Sequence, residues 1–262
     1  MMDSSPLHAV LTVVVGLATG VLSAAFGVGG AVVSTPAIRL LGVSAVFAVG
    51  TTLPSILPSA ATGTWRYRRE GLVLWRVVRW TVPTGVVASV GGSFLSKEAP
   101  GDGHWLMIAT AVLLGLTAAR MARPAPADDD ATQPDRRRDH PIVLVAVGTA
   151  AGLLSGLLGV GGGIVLIPAF AELVRLPIKA AIATSLVCVG LFAVPGTITH
   201  AGLGDIDWRT AVLLSVGVVP GARLGAHLAV RTRDARLRLL VAGFLGVIAV
   251  VYGVSEVVAL SR

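Results

Sequence analysis

Gly20-Val21-Leu22-Ser23-Ala24-Ala25-Phe26-Gly27-Val28-Gly29-Gly30-Ala31-Val32-Val33-Ser34-Thr35-Pro36 is followed in the second half of the chain by a near copy of itself. The copy reads Gly152-Leu153-Leu154-Ser155-Gly156-Leu157-Leu158-Gly159-Val160-Gly161-Gly162-Gly163-Ile164-Val165-Leu166-Ile167-Pro168, identical at nine of seventeen positions. Each version is an apolar helical run cut by a glycine cluster, then a short apolar run carrying a proline. A glycine break in apolar sequence exposes backbone N–H and C=O groups that lipid cannot satisfy, so it must be buried in protein or line a wet cavity. Paired Gly/Pro-interrupted segments at matching positions of two halves point to the binding site of a transporter.

Composition agrees with a membrane setting. Of the 262 residues, 54% are hydrophobic and 13% charged, and the mean hydropathy is +0.83. Soluble domains carry about 25% charged residues. The pI near 10.9 would otherwise suggest nucleic acid, but most of the 19 arginines fall in short connections between apolar runs. The bias of Lys and Arg toward cytoplasmic loops already explains that placement, and no basic patch interleaved with aromatics is present. The partners expected are a lipid bilayer and a small anion, with no nucleic acid. Cys188 is the single cysteine, so an intramolecular disulfide is excluded. The N-terminal Met1-Met2-Asp3-Ser4-Ser5-Pro6 has no basic region ahead of its apolar stretch, and that stretch is expected to be retained as a membrane segment.

Apolar segments run over Leu7–Phe26, Ala31–Gly42, Ala45–Trp65, Leu72–Leu95 and Trp105–Ala122, and again over Pro141–Leu158, Gly163–Leu173, Ile178–His200, Trp208–Val230 and Leu237–Leu260. Most have the roughly 20 residues a bilayer-spanning helix needs. The pieces after each glycine break are about half as long and read as half-helices. The repeat continues beyond the breaks. With one residue inserted, Thr51-Thr52-Leu53 falls on Thr184-Ser185-Leu186, Gly63-Thr64 on Gly196-Thr197, and Trp75-Arg76 on Trp208-Arg209. The expected organisation is a first membrane repeat over 1–122, a charged cytoplasmic linker over 123–140 and a second membrane repeat over 141–262. The fold class expected is an all-α polytopic membrane protein of two inverted repeats, four to five helical segments each, with a glycine-broken helical hairpin opening each repeat.

The inversion comes from charge. Arg66, Arg68, Arg69, Arg76 and Arg79 mark the connection after the second span as cytoplasmic, whereas Lys97, Glu98 and Asp102 mark the next as external. In the second half, the stretch from His200 to Asp207 carries two aspartates and no Lys or Arg, while Arg231, Arg233, Arg236 and Arg238 crowd the following connection. That exchange requires the second copy to be inserted upside down, with each broken hairpin entering and leaving on one side.

Close helix packing through small residues explains Gly16, Gly20, Gly50 and Gly85. It explains the clusters Gly27, Gly29, Gly30 and Gly159, Gly161, Gly162, Gly163 less well, because each glycine costs a helix about 1 kcal/mol. A half-helix starting after such a cluster aims unpaired N–H groups and the positive end of its dipole at mid-depth, and two such starts form a cradle for an anion. Ser23 and Ser155, one turn before each break, and Thr51, Thr52, Thr184 and Ser185 on the next span are the hydroxyls expected around it. Their alternative role is bonding back to helix carbonyls. Arg223 is a candidate substrate contact well inside an apolar run, although it lies close enough to the basic end of its span to snorkel. Arg39, Glu172 and Arg175, at the ends of the half-helices, read as interface anchors. The dinucleotide reading of Gly27-Val28-Gly29-Gly30 fails for want of a βαβ unit and a downstream acidic residue. No metal-ligand cluster, P-loop or catalytic triad is present in the sequence, so neither an enzyme nor a bound cofactor is expected.

The duplicated G-x-L-S-x-x-x-G-V-G-G-[AG]-x-V-x-x-P pattern, the Thr51-Thr52 and Thr184-Ser185 pairs and the Gly63-Thr64 and Gly196-Thr197 ends resemble the sulfite exporter TauE/SafE family of bacterial membrane permeases. The resemblance covers about Val10 to Tyr252. Ala31 departs from the pattern where the second copy has Gly163, and the 123–140 linker carries no family motif. It implies a multi-pass inner-membrane permease for sulfite, organosulfonates or related small sulfur-containing anions. A non-transporting membrane scaffold or accessory subunit, and a passive channel for small solutes, are the alternatives.

Overall fold

The computed structural model describes residues 6–40, 43, 45–95, 104–122, 141–158 and 162–260. Among them ten α-helices and no strand are found. In the first half these are α1 (Pro6–Phe26), α2 (Ala31–Leu40), α3 (Ala45–Arg69), α4 (Trp75–Leu95) and α5 (His104–Ala122). In the second they are α6 (Pro141–Leu158), α7 (Gly163–Pro168), α8 (Ile178–Leu203), α9 (Trp208–Arg231) and α10 (Asp234–Leu260). The 123–140 linker lies outside the described residues.

The segment boundaries follow local chemistry. Gly71, with φ +68°, ends α3, so Leu72-Val73-Leu74 is a non-helical lead rather than the first turn of α4. The second half-helix is α-helical only to Pro168. Proline has no N–H to continue the ladder, and the chain widens into a π-helical turn at Ala169–Leu173, with Val174 N–H donating to Ala169 C=O at 3.1 Å. Within that turn Glu172 pairs with Arg238 at 2.6 Å. The same guanidinium donates from Nε to the Met121 carbonyl at 3.0 Å, tying α10 to the end of α5.

The halves pack by exchange. α1 lies against α9, and its counterpart α6 against α4; α3 crosses both α8 and α9, and α8 reaches α4; α5 meets α10. Swapping one half for the other carries every one of these pairs onto another or onto itself. The α1–α9 contact is a glycine seam. Gly217 sits on Val13 and Leu17, Gly221 on Leu17 and Val21, and Gly225 on Val21, so residue numbers rise together and the two helices run parallel. The α4–α6 contact has the same sense, with Gly148 on Thr81 and Gly152 on Gly85. At the centre, α3 and α8 run antiparallel: Leu53 lies by Gly196, Ala60 by Gly190 and Gly63 by Leu186. Backbones approach this closely only where no side chain intervenes, which is how helices associate when lipid offers no hydrophobic drive between them.

Three helices among the described residues, α1, α8 and α9, are long and apolar enough to cross a membrane by length and composition. α8 is buried over most of its length. The outward faces of α1 and α9 are apolar instead: Leu7, Val10 and Val14 are exposed on one, and Val212, Val216, Leu224 and Leu228 on the other. An exterior this apolar, interrupted on α9 by the exposed Arg223, suits lipid rather than water.

The glycine seams give the first expectation. Gly152→Ala would drive a methyl into the Gly85 backbone and should lower stability by at least about 2 kcal/mol. Gly91→Ala, inside α4 where nothing lies within 4 Å, should instead raise stability by up to about 1 kcal/mol. Thermal unfolding of the purified protein in detergent compares the two directly.

Candidate substrate-binding site

The first break begins where α1 stops at Phe26. Gly27 N–H donates to the Ser23 carbonyl at 2.8 Å, and Gly27 and Gly29 then take φ of +69° and +81°. Both values lie in the left-handed region that glycine alone enters freely. Broken helix ends leave carbonyls without partners, and here side chains from other helices reach them. The buried Tyr67 hydroxyl, at the end of α3, donates to the Ala24 carbonyl at 2.6 Å. Ser185 on α8 donates to the Gly27 carbonyl at 3.0 Å, sharing the proton with its own Ile182 carbonyl. One half therefore stabilises the break of the other.

On the far side of the break, Val33 and Ser34 N–H donate to the Gly30 carbonyl as the first bonds of α2. The amides of Ala31 and Val32 precede the ladder and have no acceptor within the helix. The second break mirrors this at Gly162, which caps α7 with φ +64° and accepts from Val165 and Leu166 N–H. Gly159 and Gly161 lie outside the described residues.

The two breaks touch. A Cβ on Gly163 would overlap the Val28 carbonyl, so the start of α7 rests directly on the loop between α1 and α2. Gly27, Val28, Gly29, Gly30, Gly162 and Gly163 are all buried. The sequence expected the breaks to converge, and this contact brings the described parts of them together.

The expected hydroxyls divide by function. Ser23 is buried and accepts from Ser59 at 3.1 Å, and Ser155 is buried at the matching place on α6. Thr52 donates to Val49 C=O at 3.0 Å and lies 3.1 Å from the Thr35 hydroxyl on α2. Thr51 accepts from the Asp207 amide at 3.0 Å, and Thr184 from the Leu74 amide at 3.2 Å. These last two are a symmetric pair, each satisfying the N–H that leads into the fourth helix of the opposite half. Arg223 is exposed on the outer face of α9, whose inner face carries the glycine seam with α1.

Sequence reasoning missed Tyr67 and Ser59. Thr52, Ser55 and Ser59 recur at three- and four-residue steps along α3, a one-face hydroxyl stripe that could have announced Ser59. Tyr67 sits among the arginines that marked a cytoplasmic end, and its partner across the fold, Ala24, carries no sequence signal. Among the described residues no group of three His, Cys, Asp or Glu side chains could hold a metal ion. A shallow pocket of about 280 Å³ lies against Trp65, Arg68 and Arg69 at the end of α3. Arg69 stacks 3.8 Å over the Trp65 ring there, an aromatic–cation pairing suited to a membrane interface.

Comparison with known proteins covers almost the whole chain. Residues 12–252 match the family model described as Sulfite exporter TauE/SafE. A probable membrane transporter protein of Bacillus subtilis, YunE, is 27% identical over 83% of this chain and 87% of its own length. A probable membrane transporter protein of Xylella fastidiosa is 30% identical over 83% of this chain and 82% of its own. Another, from Methanocaldococcus jannaschii, is 26% identical over 90% and 92%. No solved structure matches the chain.

Tyr67→Phe leaves the buried Ala24 carbonyl without its donor and should cost about 1–3 kcal/mol of stability, while Ser185→Ala, which gives up a shared proton, should cost about 1 kcal/mol or less. Equal melting temperatures for wild type and Tyr67→Phe would show that the break does not depend on this bond.

Proposed function

The chain belongs to the sulfite exporter TauE/SafE family and is a membrane transporter, and we propose that it is a secondary-type, multi-pass permease of the bacterial inner membrane for sulfite, organosulfonates or related small sulfur-containing anions. The observation that carries this reading is the buried meeting of two helix breaks, Val28 against Gly163. A backbone-lined site suits such a ligand. Amide N–H groups and hydroxyls bind anionic oxygens without burying a compensating cation, and a site free of fixed charge can release its anion to either side. The shell combines the amides at Gly27–Gly30 and Gly159–Gly163 with Ser23, Ser155, Thr52 and Ser185, while Thr51 and Thr184 brace the backbone leads into α9 and α4; Arg223, on the outer face, is a positioning charge for the membrane rather than for substrate.

In the packed arrangement, the Val28–Gly163 contact closes the path, so an anion enters only when the breaks part. The α1–α9 and α4–α6 seams are tight enough to move as two rigid pairs, each joining helices from both halves. Rocking these pairs about the α3–α8 crossing would separate α2 from α7 on one side at a time, which is alternating access by rigid-body motion of repeats. The helix directions support an inverted insertion. α1 is parallel to α9, α9 returns from α8 through a four-residue turn, and α8 is antiparallel to α3, so α1 and α3 share a direction and the α1–α2 hairpin enters and leaves on one side.

Two measurements test this. In proteoliposomes, Gly29→Val and Gly163→Val should insert yet lose sulfite flux, because one forces a branched side chain onto φ +81° against Val189 and the other wedges the breaks apart. Wild-type flux in both would move the site elsewhere, and flux that never saturates would favour a passive channel. For topology, a cysteine at Asp205 should react with an impermeant thiol reagent in intact spheroplasts and one at Thr232 should not; the reverse pattern would mean parallel repeats.

A further inference from the structure

We infer that the outward face of the last turn of α3 is a headgroup site for an anionic phospholipid, whose phosphate sits between the Arg68 and Arg69 guanidiniums beside the Trp65 ring. Such a site is independent of which anion the protein carries. Trp65, Arg68 and Arg69 fall at three- and four-residue steps and so share one face of the helix. All three are exposed, and together they line the pocket of about 280 Å³. Trp75 and Trp80 are exposed on the neighbouring α4. Tryptophan settles at the membrane–water interface, which puts this end of the molecule at headgroup depth.

The arginines of this turn are committed differently. Arg66 is spent on Glu70 at 2.7 Å. Arg69 stacks 3.8 Å over the Trp65 ring, an arrangement that engages the face of a guanidinium and leaves the N–H groups along its edge free to donate. The Arg68 side chain is exposed and has no partner among the described residues. Two guanidiniums on one face, with the only nearby carboxylate already taken, suit the paired oxygens of a phosphate. Between positions 65 and 79 the chain carries five arginines against one glutamate. That excess favours a lipid with net negative charge over one whose phosphate is offset by its own ammonium group.

The matching turn of the second half shows that the scaffold does not need these side chains. Both turns close on a glycine of positive φ, Gly71 at +68° and Gly204 at +76°. Both leads donate an amide to a threonine of the other half, Leu74 to Thr184 and Asp207 to Thr51. Yet Trp65, Arg66, Arg68 and Arg69 stand where the second turn has Ile198, Thr199, Ala201 and Gly202. The bias of basic residues toward one side of a membrane accounts for the number of arginines, but not for the stacked pair or the pocket beside it. The same turn also serves the first helix break. Tyr67 is buried on its inner side and donates to the Ala24 carbonyl at 2.6 Å, so a lipid that steadies this turn steadies that donor.

Phosphatidylglycerol is the probe, titrated into the purified full-length protein in detergent, with bound lipid counted by native mass spectrometry. Arg68→Gln combined with Arg69→Gln should weaken the tightest binding about tenfold or more, as expected for losing charge-assisted hydrogen bonds to a phosphate. Arg233→Gln combined with Arg236→Gln removes the same charge from another basic connection and should bind as wild type does. Hydrogen exchange on the unaltered protein gives a readout that needs no variant to fold. In nanodiscs of phosphatidylglycerol, compared with phosphatidylcholine, exchange should slow at the Glu70, Gly71 and Leu72 amides, which close this turn onto the Tyr67 and Arg68 carbonyls. It should not slow at Gly204 and Asp205 of the matching turn. Undiminished binding in the first double variant, an equal loss in the second, or equal protection of the two turns overturns the site and leaves only diffuse attraction between positive charge and lipid. Inorganic phosphate that displaces the lipid at comparable concentration overturns the lipid assignment, because the pocket would then serve a soluble anion.

Discussion

Two interrupted helices leave backbone amides and carbonyls in a region where lipid can offer them nothing, and the rest of the architecture answers that constraint. Each unmet group would cost on the order of 1–3 kcal/mol, so partners must come from within the protein. Tyr67 reaches the Ala24 carbonyl from the far end of α3, and Ser185 reaches the Gly27 carbonyl from the other half of the chain. Thr51 and Thr184 do the same for the leads into α9 and α4. None of these bonds can form inside a single repeat except that of Tyr67. The two halves are therefore interdependent in their polar groups as well as in their packing.

The same dependence explains the exchanged pairing. α1 packs on α9 and α6 on α4 because those faces carry the glycines that let backbones meet. With dispersion as the main attraction between apolar helices in lipid, the closest fit wins. A consequence is mechanical. The tight seams join opposite halves, whereas the break regions are joined by a few hydrogen bonds and by the Val28–Gly163 contact. Relative movement is cheapest where the fewest contacts must be remade, and that is at the breaks.

Duplication usually invites a symmetric account of function, yet the hydroxyls around the breaks are not symmetric. Ser23 and Ser155 match across the halves, whereas Ser34, Thr35 and Ser59 stand where the second half has Leu166, Ile167 and Phe192. A duplicated scaffold can keep its symmetry where packing demands it and lose it where chemistry is needed once. The glycines and the Thr51–Thr184 pair are of the first kind.

The sequence by itself determined that the chain is helical and apolar, where its segments begin and end to within a few residues, and that it is built from two copies of one unit. These features follow from periodicity, hydropathy and glycine placement, all of which act locally. It also supplied the family pattern, because Gly27–Gly30 and its copy are contiguous. Only the tertiary structure decided what each hydroxyl does. Thr51 and Thr184 looked like neighbours of the breaks, and they turn out to hold backbone amides 156 and 110 residues away in the chain. Ser59 and Tyr67 acquired their roles from partners on other helices, at sequence separations no local pattern encodes. Whether a buried hydroxyl is spent on a carbonyl or left free is settled by which helix packs beside it. That depends on the fit of whole helix faces rather than on any residue's own neighbourhood.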